Sequence, residues 1–476
     1  MEKEQLELKH KKKRRTYGAH LTSSKIFLNH IFPEIKDKLY DFIWVDLYAG
    51  EGNLILPILK HIPVGQRANF FEKHIFLYDI LPEMREKCIK NAINYKIPLE
   101  IAQKNIISRN NLESFPKVLK KSALSIYHIT NPPYLYLGYI RKHTETQDYL
   151  KYFRNKNEGY QDLYQIAMMN DLRNDIEHLV YIIPSNFLFG ASVSNKFRKD
   201  FLKYYKILKI IIFEIQVFEF TGTNICIGFF ERKATPKDEK QSFIGVKVKK
   251  NNLVLERKYN LIPRYKYRAG SEFYKFIESY KTVNSLNVNY YLLKKEVQKN
   301  KGKNEINVID ANNYKNGEYQ KIIIKINDTL KKKIKKNILF ARTVDTGTKK
   351  GRVGLELIKK QFGVNGIYVS GNTYRTHPIH IFLEPELLIQ DQILLKDYTN
   401  YILDHFRKKL DSEFLTTYKY SSAKYTRKYL GLTQLRGLIE TFPYNLDKLQ
   451  KNNLISYIRN NQIEKIVKLL QNRKKK

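Results

Sequence analysis

Phe42-Ile43-Trp44-Val45-Asp46-Leu47-Tyr48-Ala49-Gly50-Glu51-Gly52-Asn53 is the stretch on which the fold turns. A short apolar run that meets an acid and then two glycines reads as a buried strand feeding a tight loop. Leu54 to His61 follows with helical spacing. Outward from there, the apolar runs 74–79, 123–130, 178–184, 207–214 and 224–232 read as further buried strands. Between them, 81–94 and 163–176 have helical spacing. This alternation predicts an α/β domain of Rossmann-like design, a mostly parallel sheet with helices on both faces.

Open α/β sheets take ligands at the carboxyl ends of their strands, where glycine lets a ligand approach the backbone. A dinucleotide fingerprint would need a third glycine at position 55, which is Ile, and the Gly-Lys-Ser/Thr ending of a P-loop is missing. The remaining pattern, acid-x-aromatic-x-Gly-x-Gly, suits a ligand with an ammonium group and no pyrophosphate. S-adenosylmethionine is such a ligand. Asp46 is expected to hold its amino group, with Tyr48, Gly50 and Gly52 around the methionine part. Asp79 closes the next strand and suits a ribose diol. Either acid alone could simply cap a helix; their place on consecutive strand ends favours the cofactor.

Asn131-Pro132-Pro133-Tyr134 closes the strand 123–130. A proline turn is the plain alternative. Against it, Asn and Tyr flank the prolines at the same sheet edge as the glycine loop. The chemistry accounts for the residue types. The exocyclic amine of adenine is a weak nucleophile, because its lone pair is delocalised into the ring. Two acceptors, Asn131 Oδ1 and the Pro132 carbonyl, would hold its hydrogens and favour a more tetrahedral nitrogen. Pro133 stiffens the corner, and Tyr134 offers a flat face, a contact worth roughly 1–3 kcal/mol per base. Positioning and electrostatics, rather than a strong base, then carry the reaction.

With both motifs in place, residues 14–232 resemble the class I S-adenosylmethionine-dependent amino-methyltransferases, and most of all the gamma-type DNA adenine-N6 methyltransferases, TaqI-like. Tyr17 to Thr22 is similar to the family's N-terminal cofactor motif, which gives Thr22 a methionine contact. Asn105 falls where the family usually has an Asp on the cofactor adenine. Asp162-Leu163-Tyr164 resembles the pocket-lining segment, and Ile182 to Asn186 the next strand and turn. In Val217 to Thr223 the family places an aromatic on the far face of the flipped base. Phe218 is the expected residue, with Phe220 second. The resemblance implies N6 methylation of an adenine extruded from double-stranded DNA, a restriction-modification setting and a cognate restriction endonuclease as partner. It also implies a monomer with a C-terminal target-recognition domain of mixed α+β.

The balance of 86 Lys+Arg against 47 Asp+Glu, net +39, fits a polyanionic partner. The wealth of Lys, Asn, Ile and Tyr also has the character of AT-rich codons, which would raise the charge without a DNA role. The polar stretch 232–242 reads as a linker, so the chain divides into a basic tail (1–15), a catalytic domain (16–240) and a recognition domain (241–476). Within the last, 342–352 carries Arg342, Lys349 and Arg352 as DNA contacts, 418–429 carries Lys424 and Arg427, and 371–376 is a third candidate. No apolar run reaches about 18 residues, and the charged N-terminus lacks a signal-peptide core, so the chain reads as cytoplasmic, with no membrane partner. Two cysteines and scattered histidines offer no metal site. Acid-x-Lys triplets near 231–240 lack an upstream acidic partner for a nuclease. Competing readings are a protein glutamine-N5 methyltransferase, an RNA adenine methyltransferase, and a DNA-binding protein with a vestigial fold.

Overall fold

The computed structural model describes residues 22–218, 224–249, 253–282, 284–346, 348, 351–419 and 427–474. The motif stretch 17–21, Phe220, Lys349 and Lys424 lie outside the described residues. The chain forms two compact units that meet between Ala269 and Gly270.

The first unit is built on nine strands. They are β1 (Phe42–Asp46), β2 (Ile75–Asp79), β3 (Ile106–Ser108), β4 (Ser125–Thr130), β5 (His178–Pro184), β6 (Tyr205–Phe213), β7 (Ile225–Arg232), β8 (Gln241–Val248) and β9 (Val254–Leu261). Their order is β3-β2-β1-β4-β5-β7-β6-β8-β9. β3, β2, β1, β4 and β5 run parallel. β7 is inserted antiparallel between β5 and β6. The chain therefore winds outward from β1 to β2 and β3 on one side, and from β4 to β5 on the other. The reversal leaves a crevice at the carboxyl ends of β1 and β4, because their following loops depart in opposite directions. β5 is buried after its first residue, as expected of a parallel strand covered on both faces.

Three details depart from the sequence reading. First, the boundary expected after residue 240 lies after Ala269. β8 pairs parallel with β6 and β9 antiparallel with β8, so these strands extend the first sheet. Their alternating burial hid them among the Lys-rich stretches of the second half. Second, Leu54 to His61 gives only a 3₁₀ segment, Leu56–His61, since Pro57 in its first turn has no N–H to donate. Third, β3 is three residues long, too short for a periodic signal.

The helices that matter for the site are α1 (Pro82–Asn94), α2 (Leu99–Asn105), α3 (Leu163–Arg173) and α4 (Ser192–Leu202). Arg198 of α4 is fully buried. Its guanidinium donates to the carbonyls of Phe187 (2.7 Å), Gly190 (2.8 Å) and Lys266 (2.8 Å), which pins the loop after β5 from behind. Burial holds its pKa down at about 10.

In the second unit, Asn287–Tyr290, Ile379–Glu384, Leu339–Arg342 and Gly354–Leu357 form an antiparallel sheet. A second sheet joins Leu292–Leu293, Gly366–Val369 and the hairpin Asn304–Lys315/Glu318–Ile326. The longer helices of its C-terminal part and its first helix are α5 (Ser271–Tyr280), α6 (Ile389–Lys409), α7 (Leu432–Ile439), α8 (Lys448–Arg459) and α9 (Ile463–Lys474). Among the described residues no helix is long and apolar enough to cross a membrane. Both cysteines are buried and free.

Candidate active site at the switch point of the sheet

β1 delivers Asp46 to the crevice, and β4 delivers Thr130 and Asn131 beside it. Thr130 Oγ1 donates to Asp46 Oδ1 at 2.5 Å, and the Tyr48 N–H donates to the same oxygen at 2.9 Å. Oδ2 takes no hydrogen bond among the described residues. Burial raises the Asp46 carboxyl to about 6, against the pull of Thr130, His128 and the Tyr48 N–H.

The glycine loop closes over the end of β2. Gly50 has φ +55° and Gly52 φ +82°, both left-handed. The Gly50 N–H donates to Asp79 Oδ2 at 2.8 Å, and the Leu81 N–H to Asp79 Oδ1 at 2.9 Å. At Gly52 a Cβ would stand 2.6 Å from Leu56 Cδ1 and 2.8 Å from Cys88 Sγ, so nothing larger fits. The two acids and two glycines of the sequence reading thus lie around one loop.

Asn131 is half-buried. Its Nδ2 donates to Thr22 Oγ1 at 2.9 Å, which brings the N-terminal segment to the diproline corner. Its Oδ1 accepts from the Tyr134 hydroxyl, which also lies 2.5 Å from the Ile182 carbonyl of β5. Tyr134 is only 9% exposed, so its ring is edged into the protein, at right angles to Tyr164, and the flat face it was expected to present is largely covered. Phe218 is buried as well, at 6% exposure. The corner is fastened from the other side by Asp162, whose Oδ1 accepts from the Leu135 N–H at 3.0 Å. Burial lifts the Asp162 carboxyl to about 7.

Behind the site runs a buried network absent from the sequence reading. The Leu47 N–H donates to His128 Nε2 at 3.2 Å. That bond puts the ring proton on Nδ1, which donates to Asp171 Oδ2 at 2.6 Å. The Tyr181 hydroxyl donates to the same oxygen at 2.6 Å. These residues sit in apolar strand and helix patterns, where only the oddity of a His and an Asp marks them.

Asn105 does not reach the crevice. It ends α2 ahead of β3 and is 1% exposed. Its Nδ2 donates to the carbonyls of Phe71 (3.0 Å), Glu72 (2.9 Å) and Ile75 (2.9 Å), so its amide is spent on the backbone. The carboxyl end of β3 carries Asn110 instead, half-buried, with its Nδ2 donating to the Tyr152 hydroxyl at 2.7 Å. The short β3 is what misplaced the strand end.

In the second unit the three basic segments converge on Thr343. Its Oγ1 donates to the Arg375 carbonyl at 2.5 Å, and its carbonyl accepts from the Leu430 N–H at 2.9 Å. Val344–Asp345 pairs with Arg427–Tyr429. Arg427 and the whole of 371–376 are exposed. Arg342 Nη2 lies 3.4 Å from Gln361 Oε1, and Arg352 pairs with Asp404 at 3.1 Å. Among the described residues no group of three His, Cys, Asp or Glu could hold a metal ion.

The first unit is an open, mostly parallel α/β sheet of Rossmann-like design, with the antiparallel β7 set between β5 and β6. Within it, residues 70–218 match the model of the Eco57I restriction-modification methylase family. No curated protein matches the chain. Among solved structures, a modification subunit of a putative type I restriction enzyme from Vibrio vulnificus YJ016 is similar over 49% of this chain and 48% of its own, at 16% identity and TM-score 0.36. The type IIG restriction endonuclease BpuSI is similar over 93% of this chain and 61% of its own, at 12% identity and TM-score 0.39. The type ISP restriction-modification enzyme LlaBIII, bound to DNA, is similar over 52% and 22%, at 16% identity and TM-score 0.37. Each of these chains is matched over less than two thirds of its length.

Replacing Asn105 by Asp, the residue the family pattern would favour, sets a carboxylate against three carbonyl oxygens. Denaturant unfolding should show a loss of about 3 kcal/mol. Unchanged stability with tighter cofactor binding would restore Asn105 to the site.

Proposed function

We propose that this chain is a site-specific DNA adenine-N6 methyltransferase, the modification enzyme of a restriction-modification system. The observation that carries the reading is the juxtaposition of Asn131 with Asp46 at the switch point, bridged by Thr130 and flanked by Thr22. The donor set fits S-adenosylmethionine, which when bound supplies a sulfonium-borne methyl group. Asp46 Oδ2 holds the ammonium, Thr22 and the Gly50–Gly52 loop line the methionine part, and Asp79 accepts from the ribose. Asn110 takes the adenine-facing role first given to Asn105, since it stands at the end of β3.

Asn131 Oδ1 and the Pro132 carbonyl accept the two hydrogens of the target amine and turn its lone pair toward the methyl carbon. The second lone pair of Oδ1 serves this purpose while the Tyr134 hydroxyl occupies the first. The proton leaves after transfer, so no buried base is required. Entry of the base asks Tyr134 and Phe218 to open, because both rings are covered in this state. Extrusion of the adenine from the duplex precedes chemistry, since the amine is otherwise held in a base pair. The segments meeting at Thr343 supply a basic, exposed face for double-stranded DNA. A companion endonuclease and a monomeric state belong to the same reading.

Two outcomes test it. Labelled S-adenosylmethionine and adenine-containing duplex should yield N6-methyladenine, and Asn131→Ala should lower the rate about 100- to 1,000-fold, the loss of one strong electrostatic contact to the transition state, while cofactor affinity stays within about threefold. Retained turnover in the variant, or label on RNA or protein in place of DNA, would overturn the assignment. The second concerns acidity. Asp46 gains a proton as pH falls through about 6, and the neutral acid no longer pairs with an ammonium. Calorimetric affinity for S-adenosylmethionine should therefore weaken below that pH and level off above it. Asp46→Asn should bind weakly at every pH. Linkage runs the other way for the empty protein: the raised folded pKa means this group favours folding below 3.8 and loses that contribution as pH rises to about 6.

A further inference from the structure

We infer that the second unit holds a separate binding site for a nucleoside phosphate, between the end of α5, residues 444–446, and the helices α8 and α9. The inference is independent of the methyl-transfer reading. A cavity of about 880 Å³ opens there, within the roughly 300–1,000 Å³ usual for small-molecule sites. Its wall carries three tyrosines, Tyr280, Tyr444 and Tyr457, and three lysines, Lys281, Lys465 and Lys468. Among the described residues none of the lining is an acid.

The fold builds this arrangement in steps. α5 ends at Tyr280, and the Thr282 N–H and hydroxyl both donate to the Glu440 carbonyl at 3.1 Å, which fixes the rim. The Tyr280 ring packs on Phe276 with centroids 5.0 Å apart, and its hydroxyl accepts from Gln471 Nε2 at 3.4 Å. That tyrosine is held in place before any ligand arrives. α8 and α9 are joined through Asn461 at φ +53°, a tight turn that folds the two helices against each other.

The charges are set for an anion. Lys281 is matched by Glu440 at 2.8 Å. Lys465 and Lys468 have no carboxylate partner among the described residues. They stand three residues apart, on one face of α9. Lys465 Nζ lies 5.5 Å from the centre of the Tyr457 ring, so the cation and the ring are presented together. Asn284 and Gln450 also line the wall, and their amides offer both donors and acceptors. Half-buried rings suit a planar base, side-chain amides suit its edges, and paired cations suit its phosphate. An inorganic ion would leave the rings unused, and an apolar ligand would leave the lysines unused.

The same chemistry is carried by a free nucleotide and by an unpaired nucleotide within a strand. Photolabelling the full-length chain distinguishes them. One arm uses 8-azido-ATP and the other a tetranucleotide containing 5-iododeoxyuridine, each followed by peptide mass spectrometry. The expected adduct falls on peptides carrying Tyr444 or Tyr457, and the arm that labels identifies the source. Lys465→Ala with Lys468→Ala should cut labelling roughly tenfold, with melting unchanged because both side chains are exposed. In the strand arm, the slope of log affinity against log salt should fall by about 0.7 per lysine removed. Arg at both positions should restore labelling. The inference is overturned if neither probe labels 280–284 or 444–472, or if the double Ala variant labels like the parent chain.

Discussion

The hydrogen bond from Thr130 to Asp46 is the constraint on which the rest depends. It lies between the parallel strands β1 and β4, where the strand order switches from one side of the sheet to the other, and it joins the acid of the glycine loop to the strand that presents Asn131. Backbone pairing of β1 with β4 runs to Val45 and His128, and this bond carries the alignment on to the side chains at the strand ends. With it, the residues proposed to hold the cofactor and the residue proposed to hold the target amine share one short, buried bond. Burial strengthens this contact, since no water competes for either group. It also has a consequence for the acid, whose charge is costly there and whose pKa rises accordingly.

Around that bond the molecule is stiffened in layers. The Asp171–His128–Leu47 chain holds the backbone one residue beyond Asp46. Asp79 holds the glycine loop through the Gly50 N–H and its own following loop through the Leu81 N–H. Asp162 fastens the far side of the diproline corner, and Arg198 pins the loop after β5. In the proposed reaction this organisation supplies the positioning that stands in place of a strong base. The rings of Tyr134 and Phe218, both covered, are the parts that the proposed reaction requires to move.

Much of this was legible in the residues. Long apolar strands such as His178–Pro184 announce themselves, and Asp46, Asp79 and Asn131 sit at strand ends whose order fixes their meeting. What escaped has physical causes. β8 and β9 have the alternating pattern of a half-exposed edge, which a charged, Lys-rich chain blurs. Asn105 was misplaced because β3 is too short to show where it ends. The burial of Tyr134 depends on its hydroxyl finding Ile182, a partner 48 residues away. The meeting of 342–352, 371–376 and 427–429 around Thr343, and the cavity between α5 and α9, arise from tertiary packing that no local pattern encodes.

Diffraction from the protein bound to S-adenosylhomocysteine tests the central claim most directly. The account predicts density for the ligand in the crevice between β1 and β4, its ammonium on Asp46 Oδ2, its ribose on Asp79, and its thioether sulfur facing Asn131 and the Pro132 carbonyl. Ligand density elsewhere, or in the crevice with the sulfur turned away from the diproline corner, would contradict it.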